Sequence, residues 1–281
     1  MPEILVMKGD GSLEPLDMQK VRLALRKSGA GHALSDEVID EITPKLYQKI
    51  STREIYALAF DHLNKIRPGA AARFSLKAAL FKLGPEGYPF ETFVGSLLKG
   101  RGYTTQLRQI IRGKCVGHEV DVLARRPAMD NLPKYNSIVE CKFHNAPGIR
   151  CHIQSALYSW ARFLDIRDGG SNDINSVWLV TNTKFTSDVI QYADCVGLKL
   201  LGWSFPSSES IQVRIDEKKL YPITVLPSLD RRAFAALHNS GIIMVDELLH
   251  ADKELLQKTG VPERIIARLQ DDARKALSAK F

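Results

Sequence analysis

No stretch of the 281-residue sequence approaches the roughly eighteen consecutive apolar residues that a bilayer span needs. The opening Met-Pro-Glu-Ile-Leu-Val-Met-Lys-Gly-Asp lacks the basic-then-apolar order of a secretory signal. We therefore expect a soluble protein, made and kept in the cytosol, with no membrane partner. Cysteine is scarce. The four, Cys115, Cys141, Cys151 and Cys195, stand too far apart for CxxC metal pairs and are too few for a secreted disulfide framework, so they read as reduced, mostly structural thiols. No GxxxxGK(S/T) occurs, which leaves a P-loop, and the motor activity that often accompanies one, without support. Biased tracts are missing too. With 44% hydrophobic and 25% charged residues, 19 Gly and 13 Pro, the composition excludes disordered, collagenous and fibrous classes. Acid is in deficit, since 39 Lys and Arg face 32 Asp and Glu. The resulting +7 is spread along the chain and permits, without specifying, a polyanionic partner such as nucleic acid.

The chain is longer than one typical domain of about 100–200 residues. Three folded segments and a connector emerge. In 1–85, short strands at 3–8 and 13–16 flank the turn Gly9-Asp10-Gly11, whose Asp-Gly pair suits a hairpin. Asp17 can cap a helix carrying Val21, Leu23, Ala24 and Leu25 as far as Gly29, further helices follow, and Gly84-Pro85 ends the segment. In 86–205 a helix at 88–100 burying Phe90, Phe93, Val94, Leu97 and Leu98 precedes extended runs near 104–111, 116–124 and 137–143. A helix at 150–165, a strand at 176–181, a helix at 186–196 and a strand at 198–203 complete an α/β layout around a mixed sheet. Residues 206–221 read as a polar connector, with an edge strand at 211–215. Residues 222–281 read as an all-helical domain broken at Ser240-Gly241 and Gly260-Val261-Pro262.

The chemistry concentrates in the middle segment. In Gly117-His-Glu-Val-Asp-Val-Leu123, period-two alternation sets Glu119 and Asp121 on one face, opposite Val120 and Val122. In Ser137-Ile-Val-Glu-Cys-Lys-Phe143, Glu140 and Lys142 share a face opposite Val139 and Cys141. If these strands are neighbours, Asp121, Glu140 and Lys142 converge. Carboxylates offer hard oxygen donors to a Mg²⁺-type ion, and an adjacent ammonium can position a water. The plainer alternative is a solvated strand face with a Glu/Lys pair.

Asp121, eighteen intervening residues, then Glu140-Cys141-Lys142, between the expected helices, resembles the PD-(D/E)xK nuclease superfamily, particularly Mrr-type and RecB-type members, over about 86–204. Glu91 matches the acid of the leading helix, and Gln154 and Tyr158 look like the QxxxY element. The resemblance implies a restriction-endonuclease-like mixed sheet flanked by helices, with Asp121 and Glu140 holding Mg²⁺ or Mn²⁺ and Glu91 assisting. It further implies that Lys142 orients water and stabilises the phosphate, while Gln154 places substrate or lysine. His118 and His144 flank the site and read as structural more readily than as ligands. We assign Val180-Thr-Asn-Thr-Lys-Phe-Thr-Ser-Asp188 and Tyr192 to packing.

Val6-Met-Lys-Gly-Asp-Gly-Ser-Leu-Glu-Pro-Leu-Asp-Met-Gln-Lys-Val21 resembles the opening of the ATP-cone, the regulatory module of ribonucleotide reductases and their repressor. That resemblance covers about 3–85 and implies a small β-hairpin plus helical bundle binding ATP or dATP. Matching positions are Val6, at the base pocket, Lys8 and Lys20, at the phosphates, and Glu14 and Thr52. Gly9 stands where a basic residue is usual. In the last segment, Leu226 to Ile242 and Leu255 to Leu269 resemble tandem helix-hairpin-helix repeats, with Pro262 replacing the usual second glycine. The combined expectation is a homo-oligomeric, Mg²⁺-dependent DNA endonuclease under ATP or dATP control, in restriction, defence or repair. The alternatives are an RNase using the same site and a nucleotide-responsive DNA-binding regulator with an inactive nuclease fold.

Overall fold

The computed structural model describes residues 4–9, 11–127, 134–170 and 173–278, so Asp10 of the expected turn lies outside the described residues. The chain gathers into two compact units. One comprises Met1–Ala79, Ala146–Gly148 and Tyr221–Phe281, and the other Leu80–Asn145 and Ile149–Leu220.

The first unit opens with a hairpin, β1 (Leu5–Met7) antiparallel to β2 (Leu13–Pro15), followed by helices α1 (Met18–Lys27), α2 (Gly31–Ile42), α3 (Thr52–Ile66) and α4 (Pro68–Phe81). Asp17 caps α1 by accepting the Gln19 N–H at 3.0 Å, as its position before the apolar run predicts. Val21 and Leu25, one turn apart, are buried, whereas Leu23 points outward and is 53% exposed. Ser51 and Glu54 form a reciprocal capping box that starts α3. Val6, Leu25, Ile39, Ile42, Ile55 and Leu63 belong to the shared core. The C-terminal helices α9 (Arg231–Asn239), α10 (Val245–His250), α11 (Lys253–Lys258) and α12 (Glu263–Leu277) belong to the same unit. The Thr224 hydroxyl ties them to α4 by donating to the Ala79 carbonyl at 2.9 Å.

The second unit is a five-stranded mixed sheet ordered β3-β4-β5-β7-β9. Helix α5 (Tyr88–Lys99) leads into the antiparallel run β3 (Thr104–Arg112), β4 (Gly117–Arg126) and β5 (Tyr135–Lys142). From β5 the chain crosses through a two-residue strand β6 (Arg150–Cys151) and α6 (Ile153–Asp168) to β7 (Ser176–Thr181), parallel to β5. Strand β8 (Lys184–Phe185), which pairs with β6, and helix α7 (Ser187–Val196) then lead to β9 (Lys199–Leu201), parallel to β7. Parallel neighbours require such helical crossovers, and these bury the sheet. Leu123, Ile138, Val177 and Leu179 pack with Ala156, Phe163 and Ile166 of α6, and the expected stripe of α5 is buried in full.

One expectation is overturned. Residues 211–215 are not a strand but the start of α8 (Ile211–Lys218), so the connector is structured. Ile211, Val213 and Ile215 alternate as a strand would, but Ile211 and Ile215 also lie one helical turn apart and are both buried. The Ser210 hydroxyl settles the choice by capping the Val213 N–H at 3.4 Å.

Phe90 is fully buried, with its ring 6.3 Å from Phe93 and 5.5 Å from Phe143. Truncation there leaves a cavity where α5 meets the sheet. Phe90→Ala is expected to destabilise the protein by about 3–5 kcal/mol, read as a lowered urea midpoint.

Candidate functional site

The site lies where β4 and β5 stop pairing. Their last paired residues toward this end are Val122 and Val139. One step further the register would set Asp121 opposite Glu140, but there the backbone ladder gives way to a side chain, and Asp121 Oδ2 accepts the Cys141 N–H at 2.7 Å. On the other flank, Leu107 pairs with Val122 and Gln109 with Val120, so Arg108 stands opposite Asp121. Arg108, Asp121 and Glu140 thus form one row across three strands. Glu91 reaches the row from α5, accepting from Arg108 Nη1 at 3.4 Å.

Helix α6 supplies the second cation. Arg162 Nη1 pairs with Glu140 Oε1 and donates to the Glu119 carbonyl at 2.7 Å, and Nη2 donates to the Tyr158 hydroxyl at 2.7 Å. The guanidinium also stacks over the Tyr158 ring at 4.7 Å. Gln154, Tyr158 and Arg162 follow one another at four-residue spacing along one face of α6.

Burial, and then the Asp121 charge beside it, push the Glu140 carboxyl up to about 7. Burial also raises Asp121, and burial with the charge of Asp121 raises Glu91. Arg162 and Arg108 oppose these shifts without cancelling them. The cluster is short of positive charge.

Lys142 shares the Glu140 face of β5 but is exposed, and among the described residues no hydrogen bond or ion pair joins it to the carboxylates. Its field falls instead on His144 and Cys151. The strand end that carries it is held by the segment assigned to packing. Thr181 Oγ1 donates to the Lys142 carbonyl at 2.8 Å, while buried Asn182 accepts the His144 N–H and donates to the His144 carbonyl, both at 2.9 Å. His118 is structural, with Nε2 lying 2.7 Å from Asp165. That bond and the amides of Cys115 and Val116 hold Asp165 well below the usual carboxylate range. Gln154 is exposed in the first turn of α6, away from the Arg162 contacts.

Sequence reasoning missed Arg108 and Arg162. Arg162 was findable as the residue one turn beyond Tyr158. Arg108 carries φ of 50° in the middle of β3, a left-handed conformation that costs a non-glycine residue about 1–3 kcal/mol and that no sequence pattern announces.

In the first unit, Lys8 at the hairpin pairs with Glu14 across it at 3.1 Å, Thr52 Oγ1 donates to the Met7 carbonyl at 3.3 Å, and Lys20 lies 3.7 Å from Asp17. Lys8, Glu14 and Thr52 therefore gather around the hairpin, and Lys20 follows it in the first turn of α1. Val6 is buried in the core. A Cβ on Gly9 would come 3.0 Å from Pro147 Cγ, a tight approach at the position where a basic residue is usual.

Comparisons with known proteins agree with the N-terminal reading. The family model of the ATP cone domain matches residues 4–78, so the chain opens with an ATP cone, a nucleotide-binding module. The model described as AF1548-like, C-terminal, matches 221–277. An uncharacterized protein of Archaeoglobus fulgidus is 36% identical over 181 residues, spanning 64% of this chain and 98% of that protein. The crystal structure of the protein of unknown function AF1548 superposes with a TM-score of 0.59 at 35% identity, covering 68% of this chain and 97% of that one. The chain belongs to the family of that archaeal protein. Among the described residues, no helix is long and apolar enough to cross a membrane.

The raised Glu140 carboxyl makes a signed prediction for metal-free protein. Its folded value of about 7 exceeds the ordinary 4.5, so stability is fully present below about pH 4.5 and is lost as pH rises through 7. Glu140→Gln, neutral throughout, is expected to exceed wild type by up to about 3 kcal/mol at pH 8. The gap should close by about pH 4.5. Urea denaturation in chelator at both pH values measures it, and coincident curves at pH 8 would contradict it.

Proposed function

We propose that this protein is a metal-dependent DNA endonuclease whose activity is set by ATP or dATP, acting in restriction, defence or repair. The observation that carries the reading is the row of Asp121 and Glu140 at the unpaired ends of β4 and β5, joined by Glu91 from α5. The PD-(D/E)xK resemblance implies these three carboxylates together with Lys142, which shares the Glu140 face but is exposed and, among the described residues, not bonded to them. The donor chemistry fits a hard divalent ion, because three carboxylates raised above their ordinary values and faced by two arginines lack positive charge. Asp121 and Glu140 would hold such an ion, which when bound supplies Lewis-acid stabilisation of the phosphate. Exposed Lys142 orients the attacking water. As the water oxygen bonds to phosphorus, the bond to the 3′ oxygen breaks and that oxygen takes up a proton, leaving 5′-phosphate and 3′-hydroxyl ends.

A second reading is favoured by two observations. Glu140 Oε1 is committed to Arg162, and among the described residues no group of three or more His, Cys, Asp or Glu side chains is placed to hold a metal. A nucleotide-responsive DNA-binding regulator would look like this. An RNase would use the same residues as the DNA enzyme. In either DNA reading, the turn at Gly260, at positive φ, precedes α12, whose first backbone N–H groups would meet a phosphate in the manner of the helix-hairpin-helix resemblance. At the Gly241 turn, by contrast, the Ile243 and Met244 amides already donate to Glu247, and protein contact or packing is an equal alternative for this module.

Plasmid, single-stranded DNA and RNA incubated with and without Mg²⁺ separate these readings. Cleavage is expected only with metal. Asp121→Ala, Glu140→Ala and Lys142→Ala are each expected to slow it by at least about 100-fold, and Glu91→Ala by less. Binding without cleavage would select the regulator, and full activity in Asp121→Ala/Glu140→Ala would end the nuclease reading.

The cone is read as a sensor, since the chain has no P-loop to support a motor. A regulating nucleotide must bind two states of the protein with different affinity, and two homo-oligomers would supply them. Calorimetry is expected to detect ATP or dATP at micromolar to sub-millimolar concentration, with a change in oligomer size and cleavage rate but no stoichiometric hydrolysis. Lys8→Ala/Lys20→Ala is expected to uncouple cleavage from nucleotide. Absence of binding in the wild type would refute the effector role.

A further inference from the structure

Among the described residues, Arg108 and Arg162 contact the carboxylates and Lys142 shares the Glu140 face, and the three differ in what they have left to offer. Arg162 is only 11% exposed, pairs with Glu140, donates to Glu119 and Tyr158, and stacks on the Tyr158 ring. It cannot grip a substrate without giving these up. The Lys142 side chain has no hydrogen bond or ion pair among the described residues, but its charge falls on His144 and Cys151. Arg108 is different. Its side chain is 37% exposed, its one hydrogen bond among the described residues is the long contact from Nη1 to Glu91 at 3.4 Å, and its guanidinium lies 5.7 Å from the centre of the Tyr88 ring. Most of a planar fork of five donors is left open, the form that suits two phosphate oxygens at once.

The backbone adds an independent observation. At φ of 50°, Arg108 interrupts an otherwise extended edge strand, directly opposite Asp121. With the side chain 37% exposed and touching only Tyr88 and Glu91 among the described residues, burial does not impose that conformation. Strain held at a position that would cost less as glycine points to a use for the side chain.

We propose that Arg108 is a catalytic residue that binds the scissile phosphate and stabilises the charge developing on it. The assignment rests on the nuclease reading and refines it, leaving Lys142 the water. The bland alternative is that Arg108 merely neutralises Glu91.

The test uses the full-length protein and four variants: Arg108→Gly, Arg108→Asn, Arg108→Lys and Arg108→Gly/Glu91→Gln. Glycine relieves the backbone, and asparagine tolerates it better than most side chains, so one of these two is expected to melt at or above the wild-type temperature. Both are expected to lose at least about 100-fold in kcat on saturating DNA with Mg²⁺. Their binding of fluorescent duplex, with Ca²⁺ in place of Mg²⁺, is expected to weaken by about tenfold. Arg108→Lys is expected to recover part of the rate, and removing the Glu91 charge none of it. Cleavage at the wild-type rate by either folded variant overturns the proposal. So does recovery in Arg108→Gly/Glu91→Gln, which would make Arg108 a neutralising partner only, and so does melting of both uncharged variants far below wild type. A wild type that cleaves neither DNA nor RNA removes the nuclease reading itself, and the assignment with it.

Discussion

Holding Glu91, Asp121 and Glu140 within one another's field, largely out of water, is the constraint around which the second unit is arranged. A buried carboxylate resists ionising, and each such neighbour makes the next harder to ionise. The fold answers with two guanidinium groups from opposite sides: Arg108 from edge strand β3 and Arg162 from α6, which also covers the sheet. Each answer has a local cost. Arg108 adopts a strained backbone, and Arg162 gives up its freedom to Tyr158 and Glu119. Strain and buried charge concentrated at one spot, within an otherwise regular sheet, set a functional site apart from a packed core.

The first unit poses a different problem. Cone and C-terminal helices lie more than a hundred residues apart in sequence, yet they belong to one compact body tied by the Thr224 bond to Ala79. The hairpin region around Lys8 and Thr52 therefore belongs to the same body as helices α9 to α12. The segment 146–148, from the loop after β5, belongs to that body as well, and Pro147 lies against Gly9. A side chain at position 9 would bring its Cβ to 3.0 Å from Pro147 Cγ, so that ring would have to give by a few tenths of an ångström.

Much of the second unit could be read from side-chain periodicity. Alternation in β4 and β5 sets Asp121 and Glu140 on a common face, and the stripe of α5 is buried as expected. What periodicity does not carry is register between strands or the sign of φ, and Arg108 depends on both. Helical spacing puts Arg162 on the face of Gln154 and Tyr158, one turn further on, but does not show that its guanidinium is aimed at a carboxylate. Residues 211–215 satisfied strand and helix periods together, and only the Ser210 cap broke the tie. In the cone, the hairpin and the helix capped by Asp17 were legible, whereas the pairing of Lys8 with Glu14 depends on how the two strands face each other.

The bond from the Cys141 amide to the Asp121 carboxylate puts a side chain where a strand carbonyl would ordinarily accept. Site chemistry and sheet fraying are therefore one equilibrium. Whatever draws negative charge from that oxygen, whether a proton or a cation, weakens the last rung between β4 and β5. Opening that rung, in turn, changes the affinity of the carboxylate for proton or cation. Solvent exchange at the Cys141 amide thus reports on the charge state of Asp121 from the backbone.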